Sequence, residues 1–205
     1  MYVAVAGNIG SGKTTLAEKL GKNYRWLIEH EVVDTNPYLS DFYADMKSWS
    51  FHIQVYFLNS RFRQNQRIKK TKKSIIQDRT IYEDAFVFAK NLNNNGYLND
   101  RDYDTYLGLF DSMSQFIKSP DLLIYLKADI PKLVERINNR GRAYETLIRL
   151  EYLRDLNVLY ENWINEYSES KVLTINTDHL DFDKNVEDFA FVVNLIESEI
   201  HGLFS

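Results

Sequence analysis

The 205-residue chain is long enough for one compact domain, which we expect to span residues 1–205. Its hydrophobic residues, 44% of the chain and including 14 Tyr and 12 Phe, can form a large core without covalent links. A formal net charge of −4 argues against nucleic acid or an anionic membrane surface as the partner, because both attract basic proteins. The absence of cysteine excludes disulfides, thiolate catalysis and cysteine-based zinc sites.

Short apolar segments and helical segments alternate along the chain. The predicted strands are, in chain order, Tyr2–Ala6, Trp26–Glu29, Ser74–Gln77, Leu122–Leu126 and Val172–Ile175. The predicted helices lie at about 13–21, 38–48, 50–70, 80–92, 100–118, 131–140, 147–168 and 185–200. This alternation predicts an α/β fold with three layers, in which a five-stranded parallel sheet is flanked by helices. We find no secretory leader and no span-length apolar segment, and we therefore expect a soluble, cytoplasmic protein.

A phosphate-binding loop follows the first strand. Residues Gly7-Asn8-Ile9-Gly10-Ser11-Gly12-Lys13-Thr14 match the pattern G-x-x-x-x-G-K-[ST] at every defined position, between a predicted strand and a predicted helix. Such a loop surrounds phosphates with backbone N–H groups at a helix N-terminus. Lys13 is expected to reach the β- and γ-phosphates, and the Thr14 hydroxyl to bind Mg²⁺. The Asp-x-x-Gly and Asn-Lys-x-Asp segments of GTP switches are absent, which leaves ATPases and small-molecule kinases.

An acid and a base follow the third predicted strand. Asp78 and Arg79 stand where the strand ends, at the sheet edge where open α/β folds bind ligands. Asp78 is expected to help to hold Mg²⁺, directly or through water. Arg79 is expected to clamp the transferring phosphoryl group or to orient the acceptor. Without the phosphate loop, the same pair would equally fit a salt bridge or a helix cap.

Several motifs in a fixed order together resemble the deoxyribonucleoside kinase family, and within it most strongly the bacterial deoxyadenosine kinases. They are Gly7 to Thr15, Glu31-Val32-Val33, Asn36-Pro37-Tyr38, Asp78-Arg79-Thr80 and Arg140-Gly141-Arg142. The resemblance implies a P-loop kinase fold, with Mg²⁺ and ATP as the phosphoryl donor. It implies 5′-phosphorylation of a deoxyribonucleoside, deoxyadenosine first, with deoxyguanosine and deoxycytidine as further substrates. It also implies a homodimer.

The resemblance assigns roles to residues on the acceptor side. Glu31 corresponds to the general base for the substrate 5′-hydroxyl, a role that needs a carboxylate within hydrogen-bond reach. The positions that correspond to nucleobase-binding and 3′-hydroxyl-binding residues are Gln54, Arg61 and Asp84 for the base, and Tyr43 and Glu145 for the sugar. Without the resemblance, Glu31 would be a surface acid beside Glu29, and Gln54 and Arg61 would be the polar face of a helix.

An arginine-rich segment follows the fourth predicted strand and resembles the lid of these kinases. Arg136 and Arg140 are four residues apart on a predicted helix, and Arg142 follows the possible hinge Gly141. Guanidinium groups bind phosphate oxygens in a bidentate manner, so we expect all three arginines to contact ATP. The alternative is an ordinary charged helix end. Trp49 and Phe86 are candidate walls for the nucleobase, or core residues.

Two departures and two alternatives remain. Val32 stands where relatives commonly have proline, and Asp78 is one methylene shorter than the glutamate that many relatives carry. A nucleoside monophosphate kinase of the thymidylate type also has an Asp-Arg pair after a strand, but usually has an acid inside the loop, where Asn8 stands here. A non-catalytic ATP-binding switch would need Lys13 but would have no use for Glu31.

Overall fold

The computed structural model describes residues 1–31, 36–142, 145 and 148–202. The strands are Tyr2–Gly7 (β1), Leu27–Glu29 (β2), Ile75–Asp78 (β3), Leu122–Lys127 (β4) and Lys171–Asn176 (β5). The helices are Lys13–Tyr24 (α1), Leu39–Ala44 (α2), Met46–Lys70 (α3), Ile81–Glu83 (α4), Lys90–Asn94 (α5), Asp100–Ser114 (α6), Ile130–Arg140 (α7), Leu150–Glu166 (α8) and Val186–Gly202 (α9). The turn at Val32 and the expected helix start at 147 lie outside the described residues.

The five strands form one parallel sheet in the order β2-β3-β1-β4-β5. From β1 in the centre, the chain first builds β2 and β3 on one side and then β4 and β5 on the other. The direction of winding therefore changes beside β1, and ligands of such folds bind in the crevice at the carboxyl ends of the strands there. The predicted parallel five-stranded sheet is confirmed, and no strand end differs from its predicted position by more than one residue.

Each face of the sheet packs against helices, which gives the three predicted layers. Strand β1 shows the cause: Tyr2, Ala4 and Ala6 lie in one core, whereas Val3 and Val5 lie in the other, because side chains alternate along a strand. The first core contains residues of α3 and α8, and the second contains residues of α1 and α9. The central strands are therefore buried on both faces, as their uninterrupted apolar sequences predict.

Three predicted helices differ in detail from those in the structure. The predicted break between the helices 38–48 and 50–70 lies earlier, because Asp45 acts as the N-cap of α3 and accepts a hydrogen bond from Ser48 N at 3.2 Å. The predicted helix 80–92 contains a π-helical segment, Asp84–Ala89, between α4 and α5. Within the described part of the chain, no helix is long and apolar enough to cross a bilayer.

Candidate active site

The phosphate loop connects the end of β1 to the start of α1, so its backbone N–H groups lie at a helix N-terminus. Gly10 and Gly12 have φ angles of 84° and 100°, a region that favours glycine. A Cβ atom on Gly10 would lie 2.8 Å from the Leu133 carbonyl oxygen, and one on Gly12 would lie 2.8 Å from the Phe182 ring. The glycines thus permit both the turn and close packing against α7 and the segment before α9.

Lys13 is buried beneath this loop, and its Nζ donates a hydrogen bond to the Asn8 carbonyl oxygen at 2.9 Å. Burial, and then the positive charge of Arg79, lower the pKa of Lys13 to about 8. The Asn8 side chain does not face the cavity. It donates to the Leu153 carbonyl at 2.9 Å and to Asn157 Oδ1 at 2.6 Å, which ties the loop to α8.

The two predicted metal ligands lie side by side. The Thr14 hydroxyl donates to Asp78 Oδ2 at 2.5 Å, whereas Asp78 Oδ1 is buried without a hydrogen-bond partner. A hydroxyl and a carboxylate with an unpaired oxygen fit Mg²⁺, which proteins usually bind through one or two carboxylates, substrate phosphates and water. Among the described residues, no cluster of three or more His, Cys, Asp or Glu side chains could hold a metal ion.

Glu31 lies between two buried arginines. Its Oε1 atom is 2.9 Å from Arg61 Nη2 and 3.3 Å from Arg79 Nε. Burial alone would raise the pKa of Glu31, but Arg79 and Arg61 outweigh burial and lower it to about 2. The Arg79 guanidinium also lies over the Phe88 ring, 4.2 Å from its centroid. Glu31 is thus an ionised carboxylate held in a fixed position by positive groups.

A cavity of about 400 Å³ extends from the phosphate loop past Glu31. Its volume is typical of small-molecule sites. The predicted site residues that line it are Ile9, Gly10, Gly12, Lys13, Thr14, Thr15, Glu31, Tyr43, Gln54, Asp78, Arg79, Asp84, Arg140, Arg142 and Glu145. Gly7, Asn8 and Ser11 are buried or partly buried in the loop itself. The structure therefore brings together residues that are up to 136 positions apart, as with Ile9 and Glu145.

Arg61 is 1% exposed and lies behind the cavity wall. Besides the bond to Glu31, its Nε is 3.4 Å from Asp84 Oδ2, and its Nη1 donates to the Asp78 carbonyl at 3.3 Å. Burial raises the pKa of Asp84 to about 7, although Arg61 and Arg79 act in the opposite direction. Arg61 thus connects the expected base-reading carboxylate with the expected general base.

Among the described residues of the cavity wall, Gln54 Oε1 and Asp84 Oδ2 are, besides Asp78 Oδ1, buried acceptor atoms without a hydrogen-bond partner. Asp84 Oδ2 does lie in ionic contact with Arg61 Nε, at 3.4 Å. Such atoms are costly unless a ligand or water pairs with them. They therefore indicate where the cavity would accept hydrogen bonds from the polar edge of a ligand.

The predicted lid arginines separate into two groups. Arg140 Nε donates to Glu145 Oε2 at 3.0 Å, and Arg142 Nη1 is 3.8 Å from Glu145 Oε1, so both lie at the cavity. Arg136 is directed away from it and donates to the carbonyl oxygens of Ser11, at 3.1 Å, and Thr177, at 2.8 Å. In this conformation Arg136 joins α7 to the loop and to the end of β5, and it does not line the cavity.

The proposed aromatic walls need correction. Trp49 packs against Tyr38, with ring centroids 5.8 Å apart, and Phe86 is 42% exposed on the far side of the π segment, so neither lines the cavity. Phe88 lines it instead. Phe88 was not predicted, although it follows Asp84 by four positions and Phe86 follows it by two, and helical spacing places the residue four positions on, not two, on the Asp84 face.

Apolar and aromatic side chains complete the cavity walls: Leu39, Phe42, Ile53, Phe57 and Tyr152. Of these, the sequence indicates only Phe57, one turn after Gln54, as a residue that narrows the base pocket, and the other four carry no motif. Just behind the cavity lies the buried carboxylate of Glu83, which has no functional signature in the sequence because Thr80 and Glu83 fit an ordinary capping box.

Comparison with known proteins identifies the family of the chain. Residues 3–201 match the family model described as deoxynucleoside kinase. The chain is 38% identical over 201 residues to the deoxyadenosine/deoxycytidine kinase of Bacillus subtilis (strain 168), with 97% of this chain and 93% of that protein covered. It is 47% identical over 167 residues to the deoxyadenosine kinase of Dictyostelium discoideum, with 82% and 68% covered. A solved structure of deoxyadenosine kinase from M. mycoides with bound dATP superposes with a TM-score of 0.86 at 30% identity, covering 96% of this chain and 100% of that one.

Proposed function

The chain belongs to the deoxynucleoside kinase family, and from that premise we propose that it transfers the γ-phosphoryl group of ATP to the 5′-hydroxyl of deoxyadenosine. The resemblance found in the motifs is confirmed, and the chain is a deoxynucleoside kinase. The proposal of direct phosphoryl transfer from ATP to the deoxynucleoside rests on one observation: the same cavity is lined by both Lys13 and Glu31. Donor and acceptor groups therefore border one space, as direct transfer requires.

On the donor side, the phosphate loop and Lys13 bind the ATP phosphates, while Thr14 and Asp78 hold Mg²⁺. The ion, when bound, neutralises charge on the β- and γ-phosphates. The proposal includes Arg140 and Arg142 as lid residues whose guanidiniums add positive charge as the phosphoryl group transfers. Their present partner Glu145 keeps them beside the cavity.

On the acceptor side, Glu31 accepts the proton of the 5′-hydroxyl. Its lowered pKa keeps it ionised at neutral pH, so it is always able to accept a hydrogen bond from that hydroxyl. Arg79 lies beside Glu31 and is aimed at the same space, where it stabilises negative charge on the transferring group. Tyr43 and Glu145 bind the 3′-hydroxyl, with Glu145 exchanging part of its contact with Arg140 for the sugar.

The proposed preference for adenine rests on Gln54 Oε1, which has no hydrogen-bond partner, and on Asp84 Oδ2, which forms no hydrogen bond but lies 3.4 Å from Arg61 Nε. Adenine presents an amino group beside a ring acceptor, and a glutamine amide can pair with both. Cytosine also presents an amino group, whereas thymine presents a carbonyl oxygen in its place. The M. mycoides kinase structures, which hold dATP in one case and dCTP in another, contain the same two amino-bearing bases.

Steady-state comparison of kcat/KM for the four deoxynucleosides, with ATP and Mg²⁺, tests this proposal. We expect deoxyadenosine to be the best substrate, deoxycytidine and deoxyguanosine to follow, and thymidine to be the worst. Phosphorylation of deoxyadenosine monophosphate but not of deoxyadenosine would instead support a monophosphate kinase. ATP binding without transfer to any of these acceptors would support a switch module.

We include a homodimer and a single domain of residues 1–205 in the proposal. Phe86, 42% exposed, borders a groove of about 630 Å³ between the π segment, α6 and α8, and Val158 on α8 is 60% exposed. A second copy of the chain would cover this apolar surface. Light scattering should give a dimer mass that Phe86→Asp reduces to that of a monomer.

A cytoplasmic location fits a cysteine-free enzyme that uses ATP.

A further inference from the structure

Glu83 is a carboxylate with no exposed surface, and its two oxygens bind different parts of the chain. Oε2 accepts hydrogen bonds from Thr80 N at 2.7 Å and Thr80 Oγ1 at 3.2 Å. Oε1 accepts from Gly7 N at 3.3 Å and from the Tyr160 hydroxyl at 2.9 Å. A capping box explains the first pair of bonds but not the second, because Gly7 and Tyr160 lie outside the helix that Glu83 caps.

The Oε2 bonds fix the backbone that carries Arg79. This residue has a φ of 70°, which is unusual for a side chain other than glycine and persists only where its surroundings enforce it. Arg79 N donates to the Val5 carbonyl at 2.9 Å, and the next N–H group, that of Thr80, donates to Glu83. The strained turn is therefore held by a hydrogen bond at each end.

The Oε1 bonds reach the phosphate loop and α8. Gly7 is the first residue of the loop, and Tyr160 has no exposed surface. Helix α8 also holds the next loop residue, because Asn8 donates to Leu153 O and to Asn157 Oδ1. Leu153, Asn157 and Tyr160 are spaced at i, i+4 and i+7, so one face of α8 supports the start of the loop.

We propose that Glu83 and Tyr160 form a positioning pair that sets the phosphate loop at a fixed distance from the Arg79 turn. This inference rests on the proposed function, in which the loop binds ATP and Arg79 acts on the transferred phosphoryl group. Glu83 joins the two backbone points across strands β1 and β3, and Tyr160 fixes the carboxylate from the opposite side. Neither residue lines the cavity.

The charges around Glu83 agree with this role. Burial raises the pKa of Glu83, while Arg79 and Lys13 are the strongest influences in the opposite direction. The carboxylate therefore lies within the field of the two cations that the proposed reaction uses. Loss of its anchoring would disturb their separation, and small errors in position are costly in catalysis, roughly 10²-fold for about 1 Å.

Tyr160→Phe tests the pair, with Tyr125→Phe as the matched control. The two rings stack with centroids 5.9 Å apart, and Tyr125 donates to a different glutamate, Glu161, at 2.7 Å. Both variants lose one buried hydroxyl, but only Tyr160→Phe releases Glu83. At a temperature where circular dichroism shows all proteins folded, we expect Tyr160→Phe to lower kcat by roughly 10-fold and to raise the Kd for MgATP by about 3-fold. Tyr125→Phe should leave both values near those of the wild type.

Glu83→Gln provides a second test, because it keeps the side-chain shape but places an NH₂ group against backbone N–H donors. We expect a larger loss of kcat than in Tyr160→Phe. The inference is overturned if Tyr160→Phe and Tyr125→Phe have the same kcat and Kd for MgATP, or if Glu83→Gln matches the wild type. Should the wild type bind MgATP but phosphorylate no deoxynucleoside, the proposed function fails, while the Kd comparison still decides whether the pair positions the loop.

Discussion

Replacement of Glu31 by glutamine is the most direct test of the proposed chemistry. The variant keeps the length of the side chain and one oxygen that can still accept from Arg61, which lies at 2.9 Å. It removes the negative charge and the capacity to accept a proton. Glu29→Gln is the matched control, because Glu29 is the last residue of β2, two positions before Glu31, but forms its ion pair with Arg67, whose side chain is 58% exposed, at 2.7 Å.

The expected loss of activity is large. A general base contributes about 10²–10⁴-fold, so kcat of Glu31→Gln should fall by that factor, or by roughly 3–5 kcal/mol in transition-state energy. The Kd for MgATP should stay near the wild-type value, because the phosphates are bound by the loop and Lys13. Glu29→Gln should retain kcat within about 2-fold, since an exposed ion pair contributes little.

The charge of Glu31 also affects stability, and its sign follows from the pKa. The folded-state pKa is lowered from 4.5 to about 2, so the stabilisation is fully present above the unfolded value near 4.5 and is lost as the pH falls towards 2. The fall corresponds to on the order of 3 kcal/mol at neutral pH. Urea unfolding at pH 7 should show Glu31→Gln to be less stable than Glu29→Gln, and the difference should shrink in acid.

Rate, affinity and unfolding measurements together decide the role of Glu31. Turnover is measured by coupled detection of ADP with deoxyadenosine as the acceptor, and affinity by calorimetric titration with MgATP. A kcat within about 3-fold of the wild type would refute Glu31 as the general base, because that role is worth at least about 10²-fold. Equal losses of kcat in Glu31→Gln and Glu29→Gln would attribute the effect to general destabilisation of β2.

Three further predictions use other features of the site. With its pKa near 8, Lys13 loses its proton as the pH rises, so kcat/KM for ATP should fall above about pH 8. The variant Lys13→Arg should lack this decline, because arginine stays charged. Gly10→Ala should weaken ATP binding by more than 10-fold, since the added Cβ would lie 2.9 Å from Ile137 Cγ1. The control is Gly96→Ala, because Gly96 likewise has a positive φ, of 70°, but has open space around it. Calorimetry should show that Gly96→Ala leaves ATP binding unchanged. Ionisation of Asp84 near pH 7 creates an acceptor for the adenine amino group, so the KM for deoxyadenosine should fall as the pH rises through 7. The variant Asp84→Asn should show no such pH dependence. A wild-type KM that is constant between pH 6 and 8 would contradict this assignment.

The α/β pattern, the five strands and the phosphate loop were predictable from short stretches of sequence, because each depends on local properties. Apolar runs of a few residues predict buried strands, and the loop pattern encodes its own turn through Gly10 and Gly12. The π segment at Asp84–Ala89 was not predictable in this way. It lies inside a sequence with ordinary helical spacing, which predicts the helix but not a local change in its hydrogen bonding.

The residues alone left the function of the acceptor side undecided, and the roles of its residues came from the family resemblance. Glu31 has the pattern of a surface acid beside Glu29, and only packing against Arg61 and Arg79 makes it a partly buried, ionised carboxylate. Arg136 and Arg140 share one helix, but their directions differ, because the loop and the end of β5 provide backbone acceptors for Arg136 alone.

The sequence by itself determined a parallel α/β sheet with a phosphate loop at the end of its first strand, since these features arise from neighbouring residues. The tertiary structure decided which distant groups meet there. Glu83 accepts from Gly7, 76 positions away, and Asn8 donates to Leu153, 145 positions away. Such contacts depend on the order in which strands join the sheet and on the rotation of each helix about its axis. Neither quantity is encoded in local spacing, and both set the distance from the phosphate loop to Arg79.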